Sequence, residues 1–392
     1  MVANGGWGMI SGARKKLIPC AGSRLHRSLK NFVCCGPLNR FTLPAMAPPR
    51  VTLKDVARAA GVATGTVSMV LNDSPLVADT TRAHVRQVMR DLGYVYNRSA
   101  ANLRNRRSSI VGVSICDLVN PYYADVTAGI QAALESVGRA LVLGNCAESI
   151  ERQLRFLETL REYSVDGLLI TPAVGTPKAH LVRVQQWNIP VVQVSRYVPG
   201  LKADYVGNDN RKATALATRH LLSLGHTRIA YIGLNKETST GRDRFLGYRD
   251  ALQAAGSAEP ERVVECRSTR EEGYQATLQL MSAAEPPTGI VCFNDDLAFG
   301  AMLGLRKLGH EPGRECSVVG LDGVAEAALW QPALTTVAID REQLGQVAGR
   351  LLADRIAAPE RPVEGVVLEP QLVARQSSGP RASQRSLKRA CR

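Results

Sequence analysis

Residues 52–72, TLKDVARAAGVATGTVSMVLN, constrain this chain more than any other stretch. Leu53, Val56, Ala57 and Ala60 recur at helical spacing, giving a first short helix one apolar stripe. Gly61 stands where a left-handed residue ends such a helix. A second short helix buries Val67, Val70 and Leu71, which leaves Thr64, Gly65, Ser68, Met69 and Asn72 on its opposite face. A short helix braced by another, with small and polar residues outward, is the helix-turn-helix arrangement that reads the major groove. Any two-helix corner of a globular core shows the same spacing, so support has to come from elsewhere in the chain.

Three features supply that support. Residues 79–92 form a third helix with Val85, Val88, Met89 and Leu92 inward and Gly93 as its stop, enough to close a small core. An arginine-rich, weakly apolar stretch, NRSAANLRNRR, occupies residues 97–107. Charge is also unevenly placed within a net +14. Residues 1–50 carry eight basic and no acidic groups, residues 51–108 nine and four, and residues 371–392 six and none. The remaining middle is mildly acidic, so positive charge is concentrated on the candidate DNA-binding piece and the two tails.

Other classes are disfavoured. No run of 18 apolar residues is present, so nothing reads as a membrane span, and residues 1–49 lack the apolar core of a secretory signal. The nine cysteines are odd in number and show no metal-ligand spacing, which reads as reduced thiols in a cytoplasmic protein without a metal site. The folding pattern begins only at Val51, five residues after Met46. Residues 1–49 therefore read as a basic disordered extension, with Met46 as a candidate translation start; a genuine basic arm and a transit peptide are the rivals.

From Ser109 onward, short apolar runs at 110–115, 140–143, 167–170, 191–194, 229–232, 289–293 and 318–321 alternate with helical stretches. The helical stretches are 123–136, 151–163, 211–224, 244–255, 271–281 and 297–308. Such alternation predicts parallel sheets covered by helices, here two α/β units. Ligands of open parallel sheets sit at the carboxyl ends of the strands, so the polar loops there are the places for chemistry. Those loops hold Tyr122 and Tyr123, Ser195 and Arg196, Asn294, Asp295 and Asp296, and Asp322, while Arg244 opens a nearby helix. No phosphate-cradling glycine loop is among them, so no nucleotide cofactor is indicated.

These residues resemble the lactose-repressor (LacI) family of bacterial transcriptional regulators over nearly all of 51–375. The carriers are TLKDVARAAGV, TVSMVLN, DLGYVYN, ANLRNRRSSIVGV, DLVNPYYADVTAGI, VDGLLI, HLLSLGHTRIAYIG, RFLGY, CFNDDLAFGAMLGLRKLG, SVVGLDG and QPALTTV. In wording, the head and first subdomain look closest to the maltose-system repressors. The resemblance implies a helix-turn-helix head at 50–96 and a hinge at 97–108. It implies a two-lobed, periplasmic-binding-protein-like core at 109–375, made of Rossmann-like parallel-sheet lobes, that dimerises and binds a small sugar-like effector. Residues 376–392 are left as a basic disordered tail. One lobe should gather about 109–207 and 338–365, the other about 208–337.

By the same resemblance, Thr52, Thr66, Ser68 and Asn72 contact DNA phosphates, with Asn97 beside them, and Thr64, Gly65 and Met69 read bases. Met69 stands where the family usually has arginine; it can pack on a thymine methyl but cannot grip guanine. Ala63 replaces a serine common at that helix cap, where alanine costs typically ~1 kcal/mol. Leu103 is the hinge leucine that wedges into the minor groove of a palindromic operator. The effector shell implied is Tyr122, Tyr123, Ser195, Arg196, Arg244, Asn294 and Asp322, with Ser268 in place of an aromatic platform. Arg196 adds a positive charge that points toward an acidic or phosphorylated sugar. The competing readings are a solute-binding receptor and a sugar-modifying enzyme using the cleft carboxylates. His220 and His226 read as structural, and the tail has no heptads for a tetramer, so a homodimer is expected.

Overall fold

The computed structural model describes residues 51–95, 108–233, 236–257 and 261–381, in two compact units divided after Tyr96. The first unit is a three-helix head: α1 (Leu53–Ala60), α2 (Thr64–Leu71) and α3 (Asp79–Asp91). Thr52 starts α1 through a capping box with Asp55, and Gly61 closes it at φ 65°. Val56, Ala57, Ala60, Val67, Val70 and Val85 form the core of the head, joined by Val77 from the α2–α3 loop. Leu92 departs from the sequence expectation. It is the C-cap of α3 and 38% exposed, because Val88, Met89 and Tyr94 already complete that side of the core.

The second unit contains two lobes, each built on a six-stranded sheet. The first lobe holds β1 (Ile110–Ile115), α4 (Pro121–Glu135), β2 (Ala140–Asn145), α5 (Ile150–Glu162), β3 (Gly167–Ile170), α6 (Lys178–Gln186), β4 (Val191–Val194) and β5 (Asp204–Asn208). The second holds α7 (Asn210–Ser223), β6 (Ile229–Ile232), α8 (Ser239–Ala254), β7 (Arg262–Val264), α9 (Arg270–Met281), β8 (Gly289–Cys292), α10 (Asp295–Lys307), β9 (Ser317–Asp322), α11 (Glu326–Leu329) and β10 (Thr335–Ala338). The chain then returns to the first lobe as α12 (Arg341–Ala357) and β11 (Gly365–Leu368), and ends in the second as β12 (Gln371–Val373). The first sheet runs β11-β5-β4-β3-β1-β2, all parallel; the second runs β12-β10-β9-β8-β6-β7, with β12 antiparallel.

The parallel order explains the near-continuous apolar strands, since both sheet faces are covered by helices. Glycines set how closely some of those helices pack. A Cβ on Gly129 would meet the Glu342 carbonyl oxygen at 2.2 Å, and one on Gly345 the Val126 carbonyl oxygen at 2.1 Å, so α4 and α12 touch backbone to backbone.

One expected boundary is corrected. Residues 376–381 belong to the second lobe rather than to a disordered tail. Ser377 is fully buried, its Oγ donates to the Val318 carbonyl at 2.7 Å, and its carbonyl accepts from Val318 N at 2.7 Å. His220 and His226 hold the same segment, through Ser378 Oγ at 2.8 Å and the Gly379 carbonyl at 2.9 Å. A polar composition concealed this, because the segment is held by hydrogen bonds rather than by apolar packing.

Candidate functional site

In the head, α2 presents Thr64, Gly65, Met69 and Asn72 to solvent, with Thr66 and Ser68 half-buried beside them. Met69 is 36% exposed and points outward rather than filling the core. A Cβ on Gly65 would meet nothing within 4 Å, so packing does not require glycine there. Ala63 is the N-cap of α2 and supplies no side-chain hydrogen bond. Two of the expected phosphate contacts also have local duties: Thr52 caps α1, and the Asn72 amide donates to the Ser68 carbonyl at 2.9 Å. Asn97 and Leu103 lie outside the described residues.

In the two-lobed unit, the carboxyl ends of the strands bring most of the expected ligand residues together. The loop after β1 leads into α4, which Asn120 caps and Pro121 starts, setting Tyr122 in its first turn. The Tyr122 hydroxyl lies 2.7 Å from Ser195 Oγ and accepts from the Asn208 amide at 3.1 Å. Ser195 sits in left-handed backbone at φ 64°, and its carbonyl accepts from Thr240 Oγ1 of the other lobe at 3.1 Å. Arg244, in the first turns of α8, donates to Asp322 Oδ1 and to Asn210 Oδ1, each at 2.9 Å, and to the Phe293 carbonyl; its guanidinium lies 4.6 Å from the Phe293 ring centre. Asp322 ends β9 at φ 111°, a backbone conformation rare outside glycine. Burial raises the Asp322 carboxyl, and Arg244 opposes that rise. Burial also raises the Tyr122 hydroxyl, and Asp322 and Arg244 both act on it across the lobe boundary.

Three expected residues do other work. Asn294 is the N-cap of α10, accepting from Leu297 N at 3.0 Å. Tyr123 is buried edge-on against Tyr122, with ring centres 5.2 Å apart. Arg196 is paired with Glu148, whose carboxylate oxygens lie 2.9 and 3.1 Å from its Nη1. Its charge is therefore neutralised within its own lobe, which removes the basis for expecting an acidic or phosphorylated sugar.

Residues outside the expected ligand shell complete the cluster. Asn208 Oδ1 is buried with no hydrogen-bond partner among the described residues. Arg341, at the start of α12, joins Asp125 of the first lobe, at 2.8 Å, to the Asp322 and Gly323 carbonyls of the second, at 2.5 and 2.8 Å. Tyr197 reaches across to Ser239 Oγ, 3.0 Å from its backbone nitrogen. Asp295 is buried beneath Asp322; its carboxylate accepts from Thr336 Oγ1 at 2.6 Å and from Val324 N at 2.8 Å. Polar residues at the ends of short strands were the available signal, but Asn208 closes a strand too polar to be recognised by its pattern.

Residues 108–374 match the family model described as periplasmic binding proteins and sugar binding domain of LacI family, and residues 52–97 match that of bacterial regulatory proteins, lacI family. The chain belongs to the LacI family. Among its relatives is the HTH-type transcriptional regulator GalR of Escherichia coli (strain K12), 33% identical over 83% of this chain and 95% of that protein. Another is the HTH-type transcriptional repressor PurR of Pectobacterium carotovorum, 32% identical over 83% and 96%. The solved lac repressor dimer bound to operator and the anti-inducer ONPF matches this LacI-family chain with a TM-score of 0.76 at 26% identity, covering 84% of this chain and 99% of that one. A complex of the transcriptional regulator CelR with cellobiose matches with a TM-score of 0.65 at 31% identity, over 84% and 100%. As a LacI-family protein, the chain is a DNA-binding transcriptional regulator controlled by a small ligand.

Proposed function

We propose that a neutral sugar-like ligand binds between the lobes and sets the affinity of a homodimer for a palindromic operator. The observation that carries the ligand class is the buried cluster of Arg244, Asp322, Tyr122, Ser195 and Asn208. It offers guanidinium donors, carboxylate and amide acceptors and aromatic faces, the set that hydroxyl groups need. The unpartnered Asn208 Oδ1 is a ready acceptor for a ligand hydroxyl. The Arg196–Glu148 pair favours a neutral ligand, since no uncompensated positive charge is left there.

The interlobe bonds at Ser195, Tyr197 and Arg341 supply the mechanical link. A ligand that alters them alters the closure angle, and it shifts DNA affinity by its differential affinity for the two angles. On the DNA side, α2 is the recognition helix; Thr64, Gly65 and Met69 read base edges, while Thr52, Thr66, Ser68, Asn72 and Asn97 hold phosphates. Leu103 is the minor-groove wedge of the hinge at 97–108.

An enzymatic role is disfavoured by how the adjacent carboxylates are occupied. Asp296 pairs with Arg270 at 3.0 Å, and Asp295 binds Thr336 and Val324. No helix among the described residues is long and apolar enough to cross a membrane, and operator binding would place the protein with the chromosome in the bacterial cytoplasm. Calorimetric titration of the full chain with a panel of neutral, acidic and phosphorylated sugars tests the ligand class. Binding of a neutral sugar, abolished by Asp322→Ala, is expected; binding restricted to anionic sugars would reject it.

A further inference from the structure

We propose that Cys116 and Cys146 form an oxidisable dithiol that hydrogen peroxide closes to a disulfide at the cleft end of the first lobe. Its formation is independent of which ligand the cleft takes, and its test uses no sugar and no DNA.

Strand register places the two residues together. β1 and β2 pair in parallel up to Ile115 and Asn145, so residues 116 and 146 are the next facing pair. Cys146 N donates to the Ile115 carbonyl at 3.0 Å, which carries the pairing one residue further. Neighbouring strands run about 4.8 Å apart, inside the Cα separation that disulfides accept. Gln153 Nε2 donates to the Cys146 sulfur at 3.9 Å. Both sulfurs are buried, and both lie where the strands end, at the rim that carries Tyr122 and Arg196. β2 is the edge strand of its sheet and mostly exposed, so it can make the small shift that an S–S bond requires.

The surroundings divide the labour between the two sulfurs. Cys116 lies within hydrogen-bonding reach of the Thr171 and Pro172 carbonyls, at 3.3 and 3.4 Å, which hold its proton. The neighbouring Cys116 and the backbone of Glu148 lower the Cys146 thiol, against the opposing effect of its burial. Cys146 is therefore the thiolate and Cys116 the resolving thiol. The Cys146 sulfur attacks one peroxide oxygen; the O–O bond breaks, leaving a sulfenic acid on Cys146 and hydroxide, which takes a proton to become water. Cys116 sulfur then attacks the Cys146 sulfur. The S–O bond breaks, the Cys116 proton leaves with the hydroxide as a second water, and two thiols and one peroxide become one disulfide and two waters.

The consequence reaches the ligand cluster. Arg196 Nη1 sits 3.7 Å from Cys116 Sγ as well as beside Glu148, and the loop that leads into α4 and Tyr122 begins at Cys116. A disulfide withdraws the Cys116 proton from its carbonyl acceptors and ties that loop to β2.

The test is peptide mapping of the purified full chain after graded hydrogen peroxide, quenched by alkylation in denaturant. The linked peptide pair containing Cys116 and Cys146 is expected to accumulate at least about tenfold faster than Cys292 or Cys316 is lost, since burial pushes both of those thiols up. Dithiothreitol should reverse it. The Cys116→Ser variant should form no link and instead leave a sulfenic acid on Cys146 that dimedone labels; Cys146→Ser should form neither. The proposal is overturned if Cys116 and Cys146 stay alkylatable while the half-exposed Cys266 oxidises. It is also overturned if dimedone finds nothing at Cys146 in a folded Cys116→Ser protein.

Discussion

Arg244 Nη2 lies 2.9 Å from Asp322 Oδ1, and both side chains are almost wholly buried beside Tyr122 of the opposite lobe. A buried pair of this kind contributes little net stability, but removing one partner strands the other. Arg244→Ala should therefore destabilise the core by about 3–5 kcal/mol. Combining it with Asp322→Ala should cost less than the two single changes summed, a coupling that urea unfolding of the four proteins reads directly. Additive losses would mean that the pair is not coupled.

Asp295 titrates at about 8, raised by burial first and by Asp322 second. A carboxyl raised in the folded state favours its neutral form, so its contribution is complete at acid pH. That contribution is lost as pH rises from the ordinary carboxylate range toward 8. Asp295→Asn keeps the shape and cannot ionise. The stability of the variant relative to the parent should climb between pH 5 and 8, at no more than about 1.4 kcal/mol per pH unit. Parallel pH profiles for the two proteins would contradict the assignment.

The C-terminal segment should loosen in acid. Burial lowers both His220 and His226, so the neutral rings fit the fold and the protonated ones do not. Stability from them is present above the ordinary histidine range, near pH 6.5, and is lost as pH falls through and below it. Hydrogen exchange at Ser377 and Gly379 should show lower protection factors at pH 5.5 than at pH 7.5, while β8 amides change little.

Met69 is exposed on the outer face of α2 and donates no hydrogen bond to a base. Selection of bound sequences from random DNA with Met69→Arg should move the preferred site toward guanine at one position of each half-site. The change in discrimination there should be about 1–3 kcal/mol. An unchanged preferred sequence would show that Met69 does not read bases.

The α2 cap is an available gain. Ala63 leaves the first turn without a side-chain acceptor. Ala63→Ser should raise the stability of the isolated head by typically ~1 kcal/mol, seen as a higher midpoint in thermal unfolding.

Much of the fold was legible because its strands are apolar on both faces. The runs at β1, β3, β4 and β6 coincide with the observed strands residue for residue. The strands that escaped are short, polar or at sheet edges: β5 ends in Gly207 and Asn208, β10 is four residues opening on two threonines, β7 and β12 have three residues each, and β11 is half-exposed. Helix α12 was missed because glycines and alanines, suited to close approach to α4, dilute its apolar stripe. At the cleft, chain position after a strand pointed to Tyr122, Ser195 and Asp322. It could not show that Arg196 spends its charge on Glu148, or that Asn294 serves as a helix cap, because both depend on neighbours distant in the fold or on the local turn.

The proposed function places sequence-specific DNA binding under the control of a ligand held between the lobes. It is tested most directly by selecting operators from random DNA, then measuring Kd for the best palindrome with and without each sugar of a neutral panel. One enriched palindrome is expected, with at least one sugar that shifts its Kd by about 5–150-fold and a shift abolished by Arg244→Ala. Enrichment of no sequence, or a shift that survives unchanged in a folded Arg244→Ala protein, would contradict it.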